Sequence, residues 1–159
     1  MNWHCSWKDD YGVRHHVSCV MCQVQMVRVF QLNQEKTMVM ISRFEDIQAW
    51  QEARQMVKMV YELTSSGALA RDFGLRDQMQ RASVSSMTNI AEGFDWEPRV
   101  EFARFLGIAR RSAVEVQSLL YAALDIEYIS KAQFDEYYEQ ARKTKALIGG
   151  FKRSLGNRT

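Results

Sequence analysis

Beyond Cys22 the chain contains neither a cysteine nor a histidine. Cys5, Cys19 and Cys22, with His4, His15 and His16, all fall within the first 22 residues. The remainder therefore has no thiolate nucleophile, no imidazole base and no sulfur or nitrogen ligand set for an ordinary zinc site. Proline is almost missing, with one residue in 159, and glycine numbers only eight. So few breakers argue against a turn-rich β-sandwich and for long uninterrupted helices. A membrane-spanning run is absent too. The apolar stretch from Val17 to Phe30 is broken by Gln23, Gln25 and Arg28, which leaves it too short and too polar to cross a bilayer. It follows Lys8, Asp9, Asp10 and Arg14 without a small-residue cleavage site, so it does not read as a secretory signal. Nor does one charge sign dominate: 21 Lys and Arg against 19 Asp and Glu give a net +2, which excludes a strongly cationic tail and leaves room for a modest basic patch.

What is present suffices for one ordinary domain. A 47% apolar share in 159 residues can build a single core. Free thiols suit a reducing, cytoplasmic setting. Residues 1–40 read differently from the rest. Cys19 and Cys22 form a CxxC pair near His15 and His16, but no second pair at standard spacing completes a zinc site. Met38 and Met40 stand just before the first helix-start signal, so residues 1–37 are expected to be a poorly ordered extension from an upstream start, ahead of a bundle over residues 41–159.

Four helices follow from periodicity. Ser42 with Glu45 reads as a capping box, and Phe44, Ile47, Trp50, Ala53, Val57, Val60, Tyr61 and Thr64 trace one apolar stripe that Ser65 to Gly67 ends. Leu75, Met79, Ala82, Met87, Ile90 and Ala91 mark a second helix, with Gly93 placed to terminate it and Ser83 to Ser86 small enough for close packing. Pro98 suits a first helical turn, and Glu97 and Glu101 the positive end of the helix dipole. The third and longest stripe then runs through Phe102, Phe105, Ala109, Ser112, Val116, Leu119 or Leu120, Ala123 and Ile126. Ser130 with Gln133 is another capping box, opening a fourth stripe of Phe134, Tyr137, Ala141, Thr144, Ile148, Phe151 and Leu155, which Gly149 and Gly150 are expected to fray. With short connections between them, an all-α, antiparallel up-down-up-down four-helix bundle is the economical arrangement.

The stretches LRDQMQRASVSSMTNIAEGF and EFARFLGIARRSAVEVQSLL carry a resemblance. Leu75 and Gln78, then Asn89 to Gly93, then Glu101, Phe102, Phe105, Leu106, Ile108, Ala109 and Ser112, with Trp50 and Gln51 upstream, resemble the bacterial four-helix-bundle family first named for the 23S rRNA intervening-sequence proteins. The likeness spans roughly Phe44 to Leu155. Arg111 departs from it, standing where the family usually has Gly, and Val116 and Gln117 replace a common Leu-Glu pair. The resemblance implies a homo-oligomer, with pentameric rings known, and no established enzymatic activity. The accessory variability proteins of diversity-generating retroelements are a related branch that works with a reverse transcriptase and nucleic acid.

Glu92, Glu101 and Glu115 could be imagined as a metal cluster, yet di-iron bundles use Glu-x-x-His pairs and no His follows residue 16. Asn89 and Glu92 are better read as fixing the junction between the second and third helices, and neither metal nor cofactor is expected. Arg104 and Arg111, seven apart, share a helix face beside Arg110. Arg76 and Arg81 lie on the second helix and Arg142, Lys143 and Lys145 on the fourth. In one subunit these form an ordinary solvated surface. Repeated around a ring, they form a multivalent patch for phosphate backbones. One member of each aromatic pair, Phe94 with Trp96 and Tyr137 with Tyr138, is expected to face outward, for a subunit contact or for base stacking. The expectation is a cytoplasmic, non-enzymatic, self-associating binding or adaptor module. RNA or DNA would be held by Arg104, Arg110 and Arg111, and a purely structural or protein-partner oligomer is the alternative.

Overall fold

The computed structural model describes the backbone of residues 5–8, 14–17, 41–95 and 99–156. The chain divides into two compact units, Met1–Met40 and Ile41–Thr159. In the first, β1 (Cys5–Lys8) pairs antiparallel with β2 (Arg14–Val17), Cys5 opposite Val17 and Lys8 opposite Arg14. The expected poor order of the rest of this unit lies outside the described residues, as do the side chains of Cys19, Cys22, His15 and His16.

The second unit holds four helices, α1 (Gln48–Leu63), α2 (Phe73–Asp95), α3 (Arg99–Asp125) and α4 (Lys131–Gly156). Each packs against its sequence neighbour and α4 closes back on α1. Gly93 of α2 meets Phe102 and Phe105 at the start of α3, and Tyr121 near the end of α3 meets Phe134 at the start of α4. Both pairs are thus antiparallel, consistent with an up-down-up-down bundle.

The first helix starts later than its capping signal suggested. Glu45 pairs with Arg43 (2.8 Å), Phe44–Asp46 form a single 3₁₀ turn, and Ile47 is extended with ψ 113°, so α1 begins only at Gln48. That break resets the helical phase: Ala49, Ala53, Met56, Val60 and Leu63 are buried, while Tyr61 is 47% exposed. Gly67, at φ 72°, turns the chain after α1, and Leu69 plugs the loop at 1% exposure. Asp72 caps α2, its Oδ1 accepting the Leu75 N–H at 3.0 Å, a cap the periodicity did not reveal.

Gly93 does not end α2, which continues to Asp95. A Cβ on Gly93 would lie 2.5 Å from Phe105 Cβ and 2.8 Å from Phe102 Cδ2, so glycine stands there because two phenylalanines of α3 press against the α2 backbone. In α3 the buried line adds Leu106, Ala113 and Gln117, and takes Leu120 rather than Leu119, whereas Ile126 is 48% exposed. Its end is a Schellman turn: Tyr128 N–H bonds Ala123 O and Glu127 N–H bonds Leu124 O, both at 2.9 Å, with Glu127 at φ 59°. The capping box that opens α4 forms as read, Gln133 N–H to Ser130 Oγ (3.2 Å) and Ser130 N–H to Gln133 Oε1 (3.0 Å). Helix α4 runs on through Gly149 and Gly150 without fraying.

The core has two apolar clusters. One joins Met56, Val60, Met79, Leu120, Phe134 and their neighbours, and the other Ile47, Ala53, Ile90, Leu106 and Ile148. Small polar residues, buried Ser86, Ser112 and Thr144, lie at the level between them. Among the described residues no helix is long and apolar enough to cross a membrane.

Candidate nucleic-acid interface

Helix α3 sets the arginines by its period, and the structure separates the three that sequence grouped. Arg104 donates from Nε to Glu101 Oε2 at 2.8 Å and lies 5.4 Å over the Phe105 ring. Its charge is thus partly answered within its own helix. Arg111 is exposed and makes no ion pair among the described residues, so where the family usually has Gly this chain simply directs the longer side chain to solvent. Arg110, about 100° round the helix from Arg111, turns instead toward α4.

There it meets cations that the sequence reading did not single out. A Cβ built on Gly149 of α4 would lie 3.6 Å from Arg110 Nε and 3.6 Å from Arg153 Nη1. The two guanidinium groups are therefore within about 7 Å of each other, close enough to repel in water and more strongly where water is thin. Reciprocally, Lys152 of α4 lays its ammonium 3.1 Å from where a Cβ on Gly107 of α3 would sit. Each helix offers a glycine surface to the other's cation. Arg110, Lys152 and Arg153 make no ion pair among the described residues. One or two turns along the same seam, Lys145 donates to Gln117 Oε1 at 2.8 Å, a neutral partner. The signal in sequence was Gly107 placed opposite Lys152 and Gly149 opposite Arg110, which only a known register makes legible.

Three other basic side chains, Arg142, Arg76 and Lys143, are paired with acids. Arg142 pairs with Glu139 (2.6 Å), holding that carboxyl below its usual range. Arg76 pairs with Asp77 (2.9 Å) and lies 4.7 Å over the Phe73 ring, which stays largely exposed. Lys143 pairs with Glu52 (2.8 Å), whose carboxyl lies below the ordinary value chiefly through that bond, with Gln140 Nε2 donating to it as well at 2.9 Å. Arg81 lines an open groove of about 680 Å³ with Tyr61, Asp77 and Gln80 and makes no ion pair among the described residues.

The motif residues are mostly scaffolding. Ser112 is buried and shares a 3.0 Å hydrogen bond with Ser85, to which Asn89 Nδ2 also donates at 3.2 Å, so this trio ties α2 to α3. Asn89 acts within α2, bonding Ser85 O at 2.8 Å, rather than at the junction expected for it. Glu92 is exposed and makes no hydrogen bond among the described residues, because it falls on the outer side of α2. Phe102 is buried, edge-on to Phe94 (6.1 Å) and Phe151 (5.4 Å), and Phe105 is half-buried. Trp50 packs edge-on against Phe44 at 5.1 Å. Gln78 is exposed, and Glu101 sits in the first turn of α3 as its dipole favours. Glu92, Glu101 and Glu115 do not converge: among the described residues no three His, Cys, Asp or Glu could hold a metal ion. Phe94 belongs to α2 and packs inward, whereas Trp96, Glu97 and Pro98 lie outside the described residues. Tyr137 and Tyr138 are both half-buried, since each packs on the core cluster.

A family model described as the 23S rRNA-intervening sequence protein matches residues 45–150. Among solved structures, a protein of unknown function from the S23 ribosomal protein family of Bacteroides thetaiotaomicron is similar in fold. It is 20% identical, with a TM-score of 0.60, over 65% of this chain and 97% of that one. No curated protein matches the chain. The family match runs from the turn before α1 deep into α4 and takes in the Asn89 to Gly93 and Glu101 to Ser112 motifs, so the chain belongs to the 23S rRNA-intervening sequence protein family.

Proposed function

We propose that this protein is a non-enzymatic binding module of the cytoplasm that self-associates and holds RNA or DNA through its phosphates. The observation that carries the reading is the cluster of Arg110, Lys152 and Arg153 around Gly149 and Gly107, without an acidic partner among the described residues. Like charges gathered this way are costly alone and are stabilised by an anion of many charges. Self-association, pentameric as the family resemblance implies, repeats the cluster around a ring and multiplies weak phosphate contacts. The names of the family and of the solved neighbour both refer to ribosomal components, which agrees with a nucleic-acid ligand. Arg110 stays in the candidate set, Arg111 stays as an outer contact, and Arg104 contributes less because Glu101 already answers its charge.

The test is anisotropy of labelled structured RNA with the purified full chain across a salt series. Affinity is expected to fall by orders of magnitude from about 50 to 200 mM salt. The Arg110→Ala/Lys152→Ala/Arg153→Ala variant should flatten that slope more than Arg104→Ala does. Absence of binding at low salt, with a multimeric mass by light scattering, would instead support a protein-partner oligomer, a reading favoured by exposed Val100 (75%) and Phe73 (65%).

A further inference from the structure

The seam between α3 and α4 changes character along its length. At one end lie the cations over Gly107 and Gly149, followed by Lys145 on Gln117. At the other lies an aromatic group: Tyr121 is 50% exposed, tilted on Phe134 at 4.8 Å and edge-on to Tyr138 at 5.6 Å. Arg110 and Tyr121 are eleven residues apart, three turns, and so project from nearly the same side of α3. From Gly107 to Tyr121 the seam measures about 21 Å at 1.5 Å per residue, room for a run of about four nucleotides. The basic residues at the aromatic end are already neutralised, Lys131 by Asp135 and Arg142 by Glu139. Among the described residues the seam's cations without an acid, Lys152, Arg110, Arg153 and Lys145, thus lead up to an exposed ring at its far end.

We infer that this seam binds single-stranded nucleic acid, with backbone phosphates over Arg110, Lys152 and Arg153 and a base stacked on Tyr121. The inference rests on the nucleic-acid reading above and narrows its ligand. In a duplex the base faces are hidden, so the aromatic half finds nothing to stack on. A single strand offers phosphates and open base faces together, and both halves are used. Tyr121 is suited to stacking because it is half exposed while Phe134 and Tyr138 pack against its ring, so little freedom is lost when a base covers the exposed part.

The experiment measures anisotropy of a labelled RNA of about a dozen nucleotides, single-stranded and annealed to its complement, with the full chain and its variants. The single strand is expected to bind more tightly than the duplex. Tyr121→Ala should weaken single-strand binding by about five- to a hundred-fold and leave duplex binding unchanged, and Tyr121→Phe, which keeps the ring, should restore it. Arg110→Ala/Lys152→Ala/Arg153→Ala should reduce the single-strand salt slope by about 2, three contacts at ~0.7 each. All four substituted side chains are exposed, and an unchanged helical circular dichroism spectrum checks the fold of each variant. Equal binding of duplex and single strand with Tyr121→Ala silent overturns the single-strand assignment and leaves nucleic-acid binding standing. Polyglutamate displacing the RNA at equal charge, with Tyr121→Ala silent, overturns it in favour of an acidic protein partner. No salt-dependent binding of either nucleic acid overturns the function proposed above together with this inference.

Discussion

Two helical glycines show how context sets the sign of a substitution. Gly93→Ala forces a methyl into 2.5 Å of Phe105 Cβ, a backbone-anchored atom that cannot swing away, and should cost about 1–3 kcal/mol in thermal or denaturant unfolding. Gly150→Ala meets only Arg153 Nη2 at 3.9 Å, so the gain in helix propensity, roughly 0.5–1 kcal/mol, should raise the melting temperature. Glu52 carries a pH prediction. Its folded carboxyl lies below the ordinary 4.5 because Lys143 and Gln140 bond it. A group whose pKa falls on folding stabilises above its unfolded value and loses that contribution as pH drops through the folded one. Acid unfolding curves of Glu52→Gln should therefore diverge from wild type above about pH 4.5 and converge below it.

At the scale of elements, the termini of α3 and α4 are where local sequence is decisive. The capping box at Ser130 and Gln133 was legible because both partners lie within one turn and need nothing from elsewhere in the fold. Ser130→Ala should cost about 1 kcal/mol by denaturant titration. The Schellman turn three residues earlier was not legible, since its left-handed position is held by Glu127 rather than glycine. Glu127→Gly relieves that strain and should stabilise the protein by about 0.5–1 kcal/mol, and a loss of stability instead would show that the side chain contributes more than its backbone costs. The Ser42 and Glu45 signal misled for the converse reason: Arg43 competes for Glu45, and extended Ile47 detaches the turn from the helix.

Across the whole helical unit, the two apolar clusters meet at a polar level where Ser86 Oγ is buried without a hydrogen-bond partner among the described residues. Ser86→Ala removes an unanswered hydroxyl from a site of nearly the same shape and should leave stability unchanged or raise it by about 1 kcal/mol, read from thermal melts at 222 nm.

Much of the helical unit was therefore written in the chain itself. The number of helices, most buried positions, the Ser130 cap and the small-residue contact at Ser83 to Ser86 all follow from 3.6-residue periodicity and side-chain size, which act over one or two turns. The site was not. That Gly93 answers two phenylalanines, that Arg110 comes beside Arg153 over Gly149, and that Lys152 lies over Gly107 depend on the register of one helix against the next. Register is fixed by packing over the full length of α3 and α4, between residues some forty positions apart, and no local pattern carries that information.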